Sequence, residues 1–336
     1  MNNTDYKQQV ATLDSFRTFL RGEGVRLYRD FMWRDTCDPY VIWLSEVMLQ
    51  QTQTSRVEKR LPAWLDRFPT IEILAASSTA DVLSQWQGMG YNRRALALKA
   101  AAETIVRDYD GIMPRGTQEL VALPGIGPAT AQGIRSFAYG LPGVYLETNV
   151  RSVILHHFFP DALKVPDKQL IPIIFDTCPS YTAADDAKAD PDNIIREAGK
   201  CVASHKGYLG QFAQPQDSQD TPRAWYYAML DYGSYLKASI PNPSRRSGAY
   251  AKQSTFEGSH RQKRSVVVRA LLSAQEDSAF VEERALSFSA VRKILNDFEA
   301  SKGRPEVSSS SVQKILEELV QEGFCEKTDA GWIIVS

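Results

Sequence analysis

The feature that most constrains this chain is the run ALPGIGPATAQGI, residues 122–134. It lies between two stretches of helical apolar periodicity. Gly125 and Gly127 permit a tight turn with backbone angles unfavourable to other residues. The next helix is predicted to begin near Pro128, where a proline loses no hydrogen bond. Main-chain amides around Gly125, Ile126, Gly127 and Thr130 can then grip a phosphate, helped by the helix dipole. The same run can be an ordinary helix-to-helix turn. The small-residue helix that follows it favours phosphate binding.

The surrounding sequence is helical. Over residues 8–160 apolar residues recur at helical spacing in QVATLDSFRTFLRGEG, YVIWLSEVMLQQ, VEKRLPAWLDRF, TADVLSQW, ALALKAAAETIVRDY and TQELVAL. The turn segments FPT, GMGYN and YDGIMP separate them. Residues 183–220 are polar and rich at their flanks in Asp, Ala, Pro and Gln, which reads as a surface insertion. Helical patterning returns at PRAWYYAMLDYGSYLKA. Residues 244–264 carry six Lys or Arg against one Glu. The remainder reads as three helices, RSVVVRALLSA, FSAVRKILNDF and SSSSVQKILEELVQEGF, the last with serines that can cap it. A short hairpin, CEKTDAGWIIVS, follows. This order resembles a winged helix; the alternative is a small helical cap. The chain is therefore expected to divide into residues 1–243, a basic linker at 244–262 and a C-terminal region at 263–336.

Composition narrows the partners. With 43% hydrophobic residues a sizeable core can form, and a net charge of -1 leaves no global basic field, so a nucleic acid must be held by local patches. Cys37, Cys178, Cys201 and Cys325 are too far apart for a C-x-x-C site and suggest no disulfide framework, which fits a reducing compartment. The polar N-terminus MNNTDYKQQV lacks a signal core, and no apolar run reaches the roughly 18 residues of a membrane span. A cytoplasmic protein, not secreted and with no membrane contact, is expected.

One acid stands out. Glu46 lies in SEVMLQQTQ, residues 45–53, among residues that read as a buried helix. On a helix it shares a face with Ile42, Trp43, Leu49 and Gln50. A carboxyl held there loses hydration, its pKa rises, and it keeps a proton for general-acid work near neutrality.

From about Trp33 to Lys237, interrupted by the insertion, the blocks DPYVIWLSEVMLQQTQ, QGMGYNRRALAL, LPGIGPATA and VYLETNVRSV occur in the order seen in the helix-hairpin-helix DNA glycosylases. The chain resembles that family, and within it the adenine glycosylase branch, because endonuclease III lacks a Glu at this place. The resemblance implies an all-α fold of two helical subdomains and excision of a flipped-out base from duplex DNA. It makes Glu46 the acid that protonates the departing base. Glu147, where relatives usually carry Asp, becomes the carboxylate that stabilises the oxocarbenium-like sugar. Being one methylene longer, it requires a more distant backbone or a folded side chain. Asn149 and Arg151 would orient Glu147 or contact phosphate. Gln50, Gln51 and Tyr91 would enter the minor groove. Trp33, Arg34 and Asp231 would line the base pocket; for Trp33 and Asp231, core packing and a helix-surface position are the alternatives. Ala129 stands where strand-cleaving relatives place the lysine that forms a Schiff base, which implies a monofunctional, water-using enzyme.

Many relatives hold an iron–sulfur cluster with four cysteines after the helix that here ends at Leu236. The corresponding PNPSRRSGAYAKQSTFEG contains none, so no cluster and no other cofactor is expected. Arg245 and Arg246 in this loop could take over its DNA contacts, or belong to a solvated linker. His156 and His157 lack ligand-spaced acids or cysteines and read as packing or phosphate-facing residues, so no metal site is expected. The favoured substrate is adenine opposite guanine or 8-oxoguanine in double-stranded DNA, removed by a monomer. The alternatives are a thymine or uracil·G glycosylase on the same scaffold and a non-catalytic winged-helix DNA-binding protein.

Overall fold

A computed structural model of the chain describes residues 3–179, 221–252, 255–276 and 284–335. The insertion expected over 183–220 lies outside them, as does Cys201. Contacts gather the chain into two units that cut across the expected linear division. Unit 1 comprises Met1–Val47 and Met113–Ala251, and unit 2 comprises Met48–Ile112 and Lys252–Ser336.

Unit 1 holds α1 (Asn3–Arg26), a 3-10 turn (Met32–Arg34) and most of α2 (Pro39–Leu49). It continues with α7 (Thr117–Ala122), α8 (Pro128–Tyr139), α9 (Thr148–Phe158), α10 (Asp167–Thr177), α11 (Pro222–Ser239) and a second 3-10 turn (Pro243–Arg246). Its centre is α11, where Ala224, Trp225, Tyr226, Ala228 and Met229 are all buried. A helix apolar on nearly every side is driven inside. It packs against α9 and α1, whose Val153, Ile154 and Leu20 share the same core. Thr221 caps it, accepting from the Ala224 amide at 3.2 Å, and Pro222 occupies its first turn.

Unit 2 contains α3 (Thr54–Arg67), α4 (Ile71–Ala76), α5 (Thr79–Gln85) and α6 (Arg93–Asp108). Trp64 packs edge-on against Trp86 at 5.5 Å and Phe68 at 4.9 Å, closing their core. The C-terminal part follows the predicted order: α12 (His260–Glu276), α13 (Phe288–Ala300), α14 (Ser309–Gln321), then strands β1 (Cys325–Lys327) and β2 (Trp332–Ile334). The strands are antiparallel with Glu326 opposite Ile333, and Leu286 bridges to Trp332. Ser308 caps α14 by accepting from the Ser311 amide, as its serine run suggested. α12 lies against α5, so this C-terminal part shares a unit with the α3–α6 bundle.

Two helices, α4 and α10, are not evident in the sequence pattern. α4 has only 6 residues, and α10 carries Pro172 inside it. Neither gives the sustained periodicity that marks a helix.

Candidate active site

Helix α2 starts where Asp38 accepts from the Tyr40 amide at 2.8 Å, and its apolar run then buries Ile42, Trp43, Leu44, Val47 and Met48. Glu46 keeps some contact with solvent but lies deep among protein atoms. The Tyr145 hydroxyl donates to its Oε2 at 3.0 Å. Burial is the main influence on this carboxyl. The Tyr145 hydrogen bond opposes it, the charge of Glu147 adds to it, and the net result is a pKa pushed up to about 8. Tyr145 is itself fixed: its ring meets Phe137 edge-on at 5.2 Å, and its amide donates to the Tyr226 hydroxyl at 3.2 Å. Burial and the nearby acids raise its pKa well above the usual phenol range, so it remains a neutral donor.

Helix α8 makes room for this carboxyl. A Cβ at Gly133 would stand 2.3 Å from Glu46 Oε2 and 3.0 Å from the Tyr145 ring. Glycine is therefore required there, despite costing about 1 kcal/mol in a helix interior. Ala129 lies one turn earlier on the same face. Gly133→Ala is expected to displace the carboxyl and lower the rate of base release about a hundredfold while duplex affinity is retained. Single-turnover assays beside a binding titration check this; an unchanged rate would contradict the packing.

Glu147 is the N-cap of α9. One carboxylate oxygen accepts from the amides of Asn149, at 2.5 Å, and Val150, at 2.9 Å; the Asn149 side-chain amide approaches the other at 3.4 Å. Of the two arrangements open to the longer acid, the side chain has folded, turning back onto its own helix. Burial raises its pKa. The two amides and the charges of Lys237 and Arg151 oppose that rise and favour the carboxylate.

The hairpin forms between α7 and α8. Gly125 has φ 74°, and Gly127 is the N-cap of α8 with no side chain capping the helix. Both glycines are exposed, whereas the side chains of Ile126 and Thr130 are buried. Ile126 and Thr130 can thus reach a phosphate only through main chain.

The expected base pocket is a packed ion-pair centre. Arg34 grips Asp231 with two bonds of 2.7 and 2.9 Å, and Arg29 adds two, from Nε at 2.6 Å and from its main-chain amide at 3.2 Å. The Asp231 side chain is 0% exposed and that of Arg34 2%, so both face protein. Trp33 is buried and stacks on Phe31 at 4.8 Å. Trp33 is packed against protein in this arrangement, and Asp231 is buried and not on the helix surface.

Other expected DNA contacts are engaged as well. Arg151 is paired through two nitrogens with Asp167, at 2.8 and 3.1 Å. Arg246 donates to the carbonyls of Leu155, Phe159 and Pro160 at the end of α9, so it caps that helix. Arg245 is exposed. His157 contacts the Tyr232 hydroxyl at 3.0 Å and the Phe16 ring at 5.2 Å, as a packing residue. Among the described residues Cys37, Cys178 and Cys325 form no disulfide, and no group of three His, Cys, Asp or Glu suited to a metal occurs.

In unit 2, Gln51 is exposed and left-handed, with φ 55°, and Tyr91 has φ 51°. Arg94 ties the two turns together. It donates to the Gln50 carbonyl at 2.6 Å, the Thr52 hydroxyl at 3.0 Å and the Gly90 carbonyl at 2.9 Å. Sequence reasoning passed over Arg94, Tyr145, Arg29 and Gly133. Only Gly133 carried a signal, a glycine inside a helical pattern.

Residues 44–173 match the family described as HhH-GPD superfamily base excision DNA repair protein. Over 130 residues the chain is 43% identical to an adenine DNA glycosylase of Mycobacterium tuberculosis, covering 38% of this chain and 43% of that protein. It is 35% identical over 156 residues to the human adenine DNA glycosylase, covering 44% and 29%. The chain thus spans less than half the length of these curated relatives. A solved structure of a thermostable thymine-DNA glycosylase superposes with a TM-score of 0.51 at 20% identity, over 69% of this chain and 91% of that one, which establishes likeness of fold. Over residues 44–173 the chain is therefore similar to the HhH-GPD base excision DNA repair superfamily and, in sequence, to the adenine DNA glycosylases.

Proposed function

We propose that the chain is a monofunctional DNA glycosylase that hydrolyses the bond between a mispaired adenine and its deoxyribose. The observation that carries this reading is the burial of Glu46, which pushes its pKa up to about 8 and keeps it protonated at neutral pH, with Tyr145 donating to its Oε2. Glu46 gives its proton to a ring nitrogen of the flipped purine, so the base leaves neutral rather than as an anion. Electrons of the glycosidic bond depart with the base, leaving positive charge on the sugar. The Glu147 carboxylate, held by two amides, faces that charge, and a water completes the hydrolysis. The choice of adenine is supported by the similarity to adenine DNA glycosylases.

Phosphate is held by the exposed Gly125–Gly127 main chain at the start of α8. Gln51 and Tyr91 sit on two turns bound to each other through Arg94 and enter the gap left by the flipped base. With Ala129 at the lysine position no Schiff base forms. The stretch 241–258 has no cysteine and Arg246 is committed to α9, so these residues do not fit an iron–sulfur cluster. The enzyme acts as a monomer on double-stranded DNA.

The test is a panel of duplexes carrying A·G, A·8-oxoguanine, A·C, T·G and U·G, each followed by hot alkali. Abasic sites are expected only from adenine pairs, with no cleavage before alkali. Release from T·G or U·G alone would overturn the choice of base; release from none would overturn the activity.

A further inference from the structure

The left-handed backbone of Tyr91 is one a tyrosine adopts only when its surroundings hold it. The main chain is held from one side: Arg94 donates to the carbonyls of Met89 and Gly90 at 3.2 and 2.9 Å, and the Trp86 indole donates to Gly90 at 3.0 Å. The ring borders a cavity of about 490 Å³ whose walls include Arg93, Phe256, Arg264 and Phe324. The Arg94 guanidinium stands 5.6 Å from the ring centre, and Tyr91 is part-exposed. Into the space comes Arg261, from the first turn of α12. Its Nη1 donates to the Tyr91 hydroxyl at 2.5 Å, and its guanidinium stands 4.7 Å from the Tyr91 ring centre and 5.3 Å from that of Phe256.

Arg261 has a firm base. One turn on, Arg264 bonds Glu318 of α14 at 2.7 Å and Glu322 just beyond it at 2.8 Å; Glu322 also accepts from Arg93 Nε at 2.5 Å. Glu322 thus fastens the C-terminal part to Arg93 in the first turn of α6, beside Tyr91.

We propose that Arg261 is a positioning residue that presets the Tyr91 ring for entry into the duplex, which gives the C-terminal region a part in base extrusion. This rests on the glycosylase reading and on Tyr91 as a minor-groove residue. A ring fixed before binding loses less conformational freedom on insertion, so extrusion is faster without any new contact to DNA.

The test follows extrusion by the fluorescence of 2-aminopurine at the target position of a G-containing mismatch duplex. It uses full-length chains carrying Glu46→Gln, so that no base is released. Unmodified Glu46 enzyme is assayed in parallel for adenine release. Arg261→Ala is expected to slow extrusion about tenfold, with duplex affinity within about twofold and an unchanged melting temperature. Arg261→Lys should recover part of the rate. In a Tyr91→Phe background, Arg261→Ala should add little. Extrusion within twofold of the parent, or a loss that tracks a lowered melting temperature and is not rescued by lysine, overturns the proposal. If adenine is not released yet extrusion depends on Arg261 as described, the activity reading falls and the proposal stands. If adenine is released and Arg261 has no effect, the proposal falls alone. If the parent neither extrudes nor releases a base, both fall.

Discussion

Glu46→Gln is expected to remove base release while duplex binding stays within a few-fold of wild type. The substitution preserves shape and leaves an oxygen to accept from the Tyr145 hydroxyl, now 3.0 Å from Oε2. The packing against Gly133 is kept, and burying a neutral amide in place of a protonated carboxyl imposes no new charge. Only the transferable proton is lost. General acids of this kind contribute about a hundred- to ten-thousand-fold, so single-turnover excision should fall by at least the lower figure. Activity near wild type would remove Glu46 from the chemistry and move attention to Glu147.

Asp231→Ala should produce the largest loss of stability. The Asp231 side chain is 0% exposed and is held by Arg34, itself 2% exposed, and by Arg29. Arg34 also lies over the Tyr227 ring at 4.3 Å, so its guanidinium has nowhere to rehydrate. Removing one member of a buried pair leaves the other charge uncompensated, at a cost of about 3–5 kcal/mol. The expected result is a markedly lower melting temperature, with excision per folded molecule largely kept at low temperature. An unchanged melting temperature with lost excision would instead place Asp231 at the base, as the family resemblance implies.

These predictions draw unequally on the sequence. Glu46 within an apolar helix, the glycines of the hairpin, and the three C-terminal helices with their hairpin are local patterns, and local patterns are what a sequence displays directly. The partners are not local. Tyr145 is 99 residues from the acid it bonds, and Asp231 is 197 residues from Arg34. No periodicity relates such pairs. The same holds for Arg246, which looks like a free basic residue until α9 brings its terminal carbonyls alongside. The resemblance placed Tyr91 on a DNA-facing turn, but nothing in GMGYN indicates that Arg261, 170 residues on, reaches its hydroxyl. The use of the acids near the end of α14 is likewise visible only in the fold: Glu318 pairs with Arg264, and Glu322, just beyond the helix, with Arg93 and Arg264.

The central claim is that Glu46 holds its proton at neutral pH because the fold buries it. The pH dependence of single-turnover base release measures this most directly. The acid works protonated, so the rate should fall as pH climbs through about 8, while the acidic limb is set by Glu147, which must stay a carboxylate. A Glu with ordinary solvation would already have lost its proton, and the rate with it, above about 4.5. Glu46→Asp should weaken excision and shift the descending limb, whereas Glu46→Gln should leave no limb to measure. A wild-type profile that declines tenfold per pH unit from near 4.5 would contradict the account.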